Sequence, residues 1–113
     1  MTQQQLPLEI DCRTLQAWLE QKLPLLLLDC READEVQRCS LPGAKWIPMG
    51  QIPQRLAELE PHRERTIVVY CHHGGRSLQV TQFLRSQGFA RAQSLCGGID
   101  RWSLEVDPRV PRY

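Results

Sequence analysis

Hydrophobic positions change rhythm along this chain, and each change marks an element. Leu25-Leu26-Leu27-Leu28 is a continuous apolar run, the pattern of a parallel strand covered on both faces. Thr66-Ile67-Val68-Val69-Tyr70 is a second run, β-branched and too short for a helix, so it predicts a buried central strand. Elsewhere the spacing becomes helical. Leu15, Trp18, Leu19 and Leu23 gather on one side of a helix that Asp11 can cap and Pro24 ends. Ile52, Leu56 and Leu59 predict another, with Pro53 near its start and Pro61 just past its end. Val80, Phe83, Leu84 and Gln87 fall at i, i+3, i+4 and i+7 and predict an amphipathic helix over residues 77–87. Gly88 stops it, and Phe89 can fold back onto Leu84.

Weaker signals fill the gaps. Residues 6–10 read as a short edge strand, 33–38 as a short helix, and Leu41-Pro42-Gly43 as a turn. Residues 44–48 and 92–96 read as strands, Gly97-Gly98 as a turn and 99–104 as a short helix, followed by an extended tail over 105–113. Strands alternate with helices throughout. The expected fold is therefore α/β, a mainly parallel sheet of about five strands with helices on both faces.

Composition narrows the class. A chain of 113 residues is read as one domain, with 42% hydrophobic and 24% charged residues as in ordinary globular proteins. A net charge of +1, with no basic run, gives no reason to expect nucleic acid or a membrane surface as a partner. Met1-Thr2-Gln3-Gln4-Gln5 has neither the charged nor the apolar region of a secretion signal. The five cysteines, Cys12, Cys30, Cys39, Cys71 and Cys96, are odd in number and scattered, unlike a disulfide framework. A reducing cytoplasm is the expected location.

The chemistry concentrates at Tyr70-Cys71-His72-His73-Gly74-Gly75-Arg76-Ser77. Cys71 stands where a strand ends and a glycine loop enters a helix N-terminus. Unpaired backbone N–H groups, the helix dipole and the Arg76 guanidinium favour a thiolate there. Gly74 and Gly75 let several N–H groups turn inward. The reading is an anion cradle with a nucleophilic sulfur at its floor: Cys71 catalytic, with His72, His73, Gly74, Gly75, Arg76 and Ser77 around the anion. The alternative is a buried structural cysteine before an ordinary loop. Sites form outside the carboxyl ends of parallel strands, which brings Asp29, at the end of the 25–28 run, into the same region.

Three segments make the chain resemble the single-domain rhodanese family, thiosulfate sulfurtransferase-like modules. They are Leu28-Asp29-Cys30-Arg31-Glu32 with Glu35; Leu41-Pro42-Gly43-Ala44 followed by Ile47-Pro48; and Cys71 to Ser77 with Leu95-Cys96-Gly97-Gly98-Ile99 and Trp102. The match covers about residues 8–104 of a single 1–113 domain. The resemblance implies that Cys71 accepts a sulfane sulfur as a persulfide and passes it to a thiophile, with no metal or organic cofactor. It implies a small donor, thiosulfate or a persulfide, and a thiophilic acceptor, with a protein as donor or acceptor also open. Cys39-Ser40-Leu41 stands where the family often has Gly-His-Ile, a change at the rim rather than at the nucleophile.

The remaining candidates are weighed against plainer roles. Asp29 orients the active loop or simply holds the end of its strand, and Arg31 pairs with Glu32 or Glu35 or reaches the anion. Cys96 is read as a buried strand cysteine in preference to a resolving thiol near Cys71. His72 and His73 lack the companion cluster that tetrahedral zinc needs, and they line the loop mouth or its surface. Trp18, Trp46 and Trp102 read as packing. Cdc25-like phosphatases and arsenate reductases share the architecture but use Cys-x5-Arg. Here only four residues separate Cys71 from Arg76, a loop suited to one extra sulfur rather than a phosphate. A persulfide carrier or interaction module docked to one partner is the non-enzyme alternative.

Overall fold

The computed structural model describes residues 6–113, so the glutamine patch and the reading of residues 1–5 lie outside the described residues. Five strands form one parallel sheet: β1 (Glu9–Ile10), β2 (Leu25–Asp29), β3 (Lys45–Trp46), β4 (Thr66–Tyr70) and β5 (Ala92–Leu95), ordered β1-β5-β4-β2-β3. The two apolar runs, β2 and β4, pair residue for residue from Leu25 with Thr66 to Asp29 with Tyr70. β4 is central, as its fully buried Ile67, Val68 and Val69 require.

Helices cover both faces. Helices α1 (Cys12–Glu20) and α4 (Gly98–Glu105) enclose one core with Leu15, Leu27, Val68, Tyr70, Ile99 and Trp102. On the other face α3 (Gly75–Ser86) encloses Leu28, Ile67, Val69, Val80, Leu84 and Phe89. The short α2 (Ala33–Arg38) buries no residue and lies beyond the end of β2. It is held by a capping box between Glu32 and Glu35. Asp11 caps α1, accepting from the Thr14 N–H at 2.8 Å. Past α3, the Phe89 N–H donates to the Leu84 carbonyl at 3.0 Å, the expected fold-back. Among the described residues, no helix is long and apolar enough to cross a membrane.

Several expectations are corrected. The helix marked by Ile52, Leu56 and Leu59 is a 3-10 helix, Pro53–His62, with Arg55 off helical geometry and Pro61 inside rather than past its end. Both prolines lack an N–H, so the segment closes i→i+3 turns such as Arg55 N–H to Ile52 carbonyl at 3.1 Å. The edge strands are shorter than predicted, pairing only over Glu9–Ile10 and Lys45–Trp46. α3 starts two residues earlier than read, at Gly75. α1 ends at Glu20, short of Leu23, and both Leu23 and Leu19, which lies in its last turn, are exposed, whereas Leu15 on the same predicted side is buried. Cys96 is exposed, because β5 stops one residue before it. The tail is not free: Val110 is buried and Tyr113 returns to the carboxyl end of the sheet.

Candidate functional site

The site starts where β4 ends. Cys71 is 1% exposed, and the N–H groups of Gly74 and Ser77 point at its Sγ from 3.1 and 3.3 Å. The Ser77 hydroxyl lies 3.5 Å from the same sulfur and 2.7 Å from the Ser94 hydroxyl of β5. Gly74 caps α3 at φ 108°, a backbone angle that side chains rarely adopt. The loop and the first turn of α3 thus aim donors at one sulfur, as a helix N-terminus does for an anion.

A second helix secures the loop from below. The Ile99 N–H donates to the Cys71 carbonyl at 2.9 Å and the Asp100 N–H to the His72 carbonyl at 3.1 Å. These are first-turn N–H groups of α4, orphans that would otherwise lack a partner. Their approach depends on Gly98, where a Cβ would stand 2.4 Å from the His72 carbonyl oxygen and 2.5 Å from that of Cys71. The loop between β4 and α3 is therefore stacked on the loop between β5 and α4.

The charged residues lie in one network at the rim. Arg76 is held by Glu35 of α2 through two hydrogen bonds, Nη1 to Oε1 at 2.6 Å and Nη2 to Oε2 at 2.8 Å. That pairing, with burial opposing it, holds the Glu35 carboxyl at a pKa of about 2, below its usual 4.5. The guanidinium expected beside the anion is thus also an ion-pair partner of α2. Arg31 is fully buried and pairs with Asp29, Nε to Oδ1 at 2.9 Å and Nη2 to Oδ2 at 2.7 Å, not with the carboxylates of Glu32 or Glu35. It also donates to the Cys39 carbonyl at 2.6 Å and the Tyr113 hydroxyl at 2.9 Å. Asp29 accepts from the Tyr70 hydroxyl at 2.9 Å. Its position at the end of β2 ties that strand to β4.

Tyr113 completes the rim, and sequence reading did not find it. Its hydroxyl donates to Glu35 at 2.8 Å, and its ring stacks on His72 with centroids 3.9 Å apart and 10° between planes. Burial raises its phenol to about 12. His72 also meets His73, centroids 3.8 Å apart, and burial with that neighbour holds His72 below the ordinary histidine value. His73 is exposed, with Asp100 3.9 Å away. Among the described residues, no group of three or more His, Cys, Asp or Glu side chains could hold a metal ion. A separate cleft of about 580 Å³, lined by residues including Leu6, Trp18, Leu25 and Thr66, opens at the amino ends of the strands and does not reach Cys71.

Comparison with known proteins places the fold. The rhodanese-like domain family model matches residues 11–105. A protein of Arabidopsis thaliana named "Rhodanese-like/PpiC domain-containing protein 12, chloroplastic" is 43% identical over 91 residues; the match covers 77% of this chain and 30% of that protein. A protein of Allochromatium vinosum named "Sulfurtransferase" is 37% identical over 102 residues, covering 90% of this chain and 94% of its own length. The crystal structure of thiosulfate sulfurtransferase from Pseudomonas aeruginosa superposes with a TM-score of 0.79 at 28% identity, covering 92% of this chain and 20% of that one.

Proposed function

The chain belongs to the rhodanese-like domain family, and from that premise we propose that it is a sulfurtransferase that carries sulfane sulfur as a persulfide on Cys71. The observation that carries the reading is the pair of N–H groups, from Gly74 and Ser77, aimed at the Cys71 sulfur. Such donors stabilise negative charge on sulfur without needing to reorganise. With thiosulfate as donor, the Cys71 thiolate attacks the outer sulfur, a new S–S bond forms, and sulfite leaves with the electron pair of the old one. With cyanide as acceptor, carbon attacks that sulfur, thiocyanate leaves, and the Cys71 thiolate returns. The protein with the matching name from Allochromatium vinosum spans nearly the same length and supports this reaction class.

Around the nucleophile, Gly74, Gly75 and Ser77 form the cradle, and Arg76 at its rim neutralises the Glu35 carboxylate and keeps a positive group beside the anion. His72 and His73 line the mouth. Asp29 and Arg31 support the strand ends from which the loops start. The donor is read as a small sulfur compound, thiosulfate or a persulfide, and the acceptor as a thiophile such as cyanide or a thiol, with a protein donor or acceptor also open.

Mass measurement tests this. Incubation with thiosulfate is expected to add one sulfur to the peptide that holds Cys71, and cyanide to remove it. Cys71→Ser, nearly isosteric, is expected to keep the fold and accept none; sulfur loading of a clean Cys71→Ser preparation would refute the assignment. Turnover with cyanide or a small thiol separates a free enzyme from a carrier that discharges only to a protein.

A further inference from the structure

We infer that Cys30 is the resolving thiol of Cys71, and that oxidation by a hydroperoxide closes an intramolecular disulfide between them. The inference rests on register. β2 and β4 pair in step up to Asp29 and Tyr70, and Cys30 and Cys71 are the next residue of each. The Cys30 N–H still donates to the Tyr70 carbonyl at 3.2 Å, so the ladder continues into this step. Side chains alternate between the faces of a strand. Leu26, Leu28 and Cys30 pack on the α3 side with Ile67, Val69 and Cys71, whereas Leu27, Val68 and Tyr70 pack on the other.

The two thiols therefore stand side by side on one face. Neighbouring strands lie about 4.8 Å apart, within the roughly 4.4–6.8 Å between Cα atoms that a disulfide spans. The other cysteines are elsewhere: Cys12 and Cys39 pack on the opposite face, and Cys96 is exposed beyond β5. At rest the Cys30 thiol is fully buried, 3.5 Å from the Tyr70 carbonyl. Burial and then the nearby Cys71 raise its pKa, which keeps it protonated and in reserve.

The chemistry balances with hydrogen peroxide as oxidant. The Cys71 thiolate attacks one peroxide oxygen, the O–O bond breaks, and with one proton the products are a Cys71 sulfenic acid and water. The Cys30 sulfur then attacks the Cys71 sulfur. Hydroxide leaves, takes the Cys30 thiol proton and departs as a second water, and the S–S bond remains. The peroxide is reduced by two electrons that the two thiols supply. Cys71 is thereby held at a level that a thiol reductant reverses, short of the sulfinic acid.

The test uses the full chain, reduced, treated with hydrogen peroxide, then alkylated and mapped without reduction. The expected product is a monomer lighter by two hydrogens, with the Cys30 and Cys71 peptides joined. Its sulfur loading falls and returns on dithiothreitol. Cys30→Ser is expected to load sulfur within about twofold of wild type before oxidation, but after excess peroxide to carry two or three oxygens on Cys71, as sulfinic or sulfonic acid, and stay inactive on dithiothreitol. Joining of Cys71 to Cys39 or Cys96, a Cys71 sulfinic acid in the wild type, or full recovery of Cys30→Ser would each overturn the inference. If Cys30→Ser does not fold, the wild-type map alone decides. The inference takes Cys71 as the reactive thiol of the proposed function. Loading of the reduced wild type with thiosulfate is scored separately, so the two readings fail in distinguishable ways.

Discussion

Gly98 sits at φ 61° with two carbonyl oxygens, those of Cys71 and His72, within 2.5 Å of where a Cβ would be. Both atoms are backbone of the loop that carries Cys71, so neither can swing aside as a side chain would. Gly98→Ala is expected to cost about 1–3 kcal/mol from the backbone angle alone, and more from displacing α4. The Ile99 and Asp100 hydrogen bonds to the loop would lengthen. Urea melts should therefore show lower stability, and sulfur loading of Cys71 should fall more steeply than stability does. Wild-type loading in Gly98→Ala would mean that α4 does not set the loop. The residues around Cys71 were legible from the sequence because they are local: Gly74 and Ser77 reach the sulfur from three and six positions away. Gly98 was readable as a turn and as part of a family-like Gly-Gly segment, not as a contact. What it meets is a loop 26 positions earlier in the chain, reached through the β4–β5 pairing.

Between elements, the tie from α2 to α3 is one bidentate pair, Glu35 with Arg76, and it bears on both stability and chemistry. Arg76→Ala leaves the Glu35 carboxylate unneutralised at the rim of the Cys71 loop, where the proposed thiosulfate donor would approach. It is expected to cost about 1 kcal/mol, because the guanidinium is partly solvated, and to raise the thiosulfate KM about tenfold. Adding Glu35→Gln should recover part of that loss by removing the repelling charge; no recovery would mean that Arg76 acts by direct contact instead. Acid should act on the same pair. Glu35 titrates near 2 in the folded chain and near 4.5 ordinarily, so its stabilisation is present above about pH 4.5 and drains away as pH falls toward 2. Wild type should therefore lose more stability over that window than Glu35→Gln in parallel urea melts. Glu32 and Glu35 could be read as flanking residues of a motif, but no local pattern pairs Glu35 with Arg76. That contact needs α2 and α3 brought to one end of the sheet. The 3-10 segment was missed for a different reason: Leu56 and Leu59, three apart, fit either helical period, and two prolines decide between them.

At the scale of the whole molecule, the chain closes on itself over the site. Asp100 holds Arg112 at 2.8 Å, Val110 is buried against the α4 side, and Tyr113 meets α2, the end of β2 and the loop after β4 at once. A sequence reader sees Asp107 to Tyr113, with two prolines and no periodicity, as a tail, because nothing local records where the final ring lands. Its consequence is measurable at His72. That ring is pressed between Tyr113 and His73, with Asp100 and Glu35 acting on it from α4 and α2, and burial is the largest influence, keeping it below 6.5. Because the folded chain binds that proton less readily than the unfolded chain, stability falls as pH drops through about 6.5. Tyr113→Ala strips the stacked ring away and lets water reach His72. Its pKa, followed by NMR of the ring protons, should rise toward 6.5, and the acid-side loss of stability near that pH should shrink. The same variant removes a donor from Glu35 and an acceptor from Arg31, so sulfur loading should change with it. A His72 titration unmoved in Tyr113→Ala would mean that the burial comes from the loop itself, and that the last residue only rests on the site rather than shaping it.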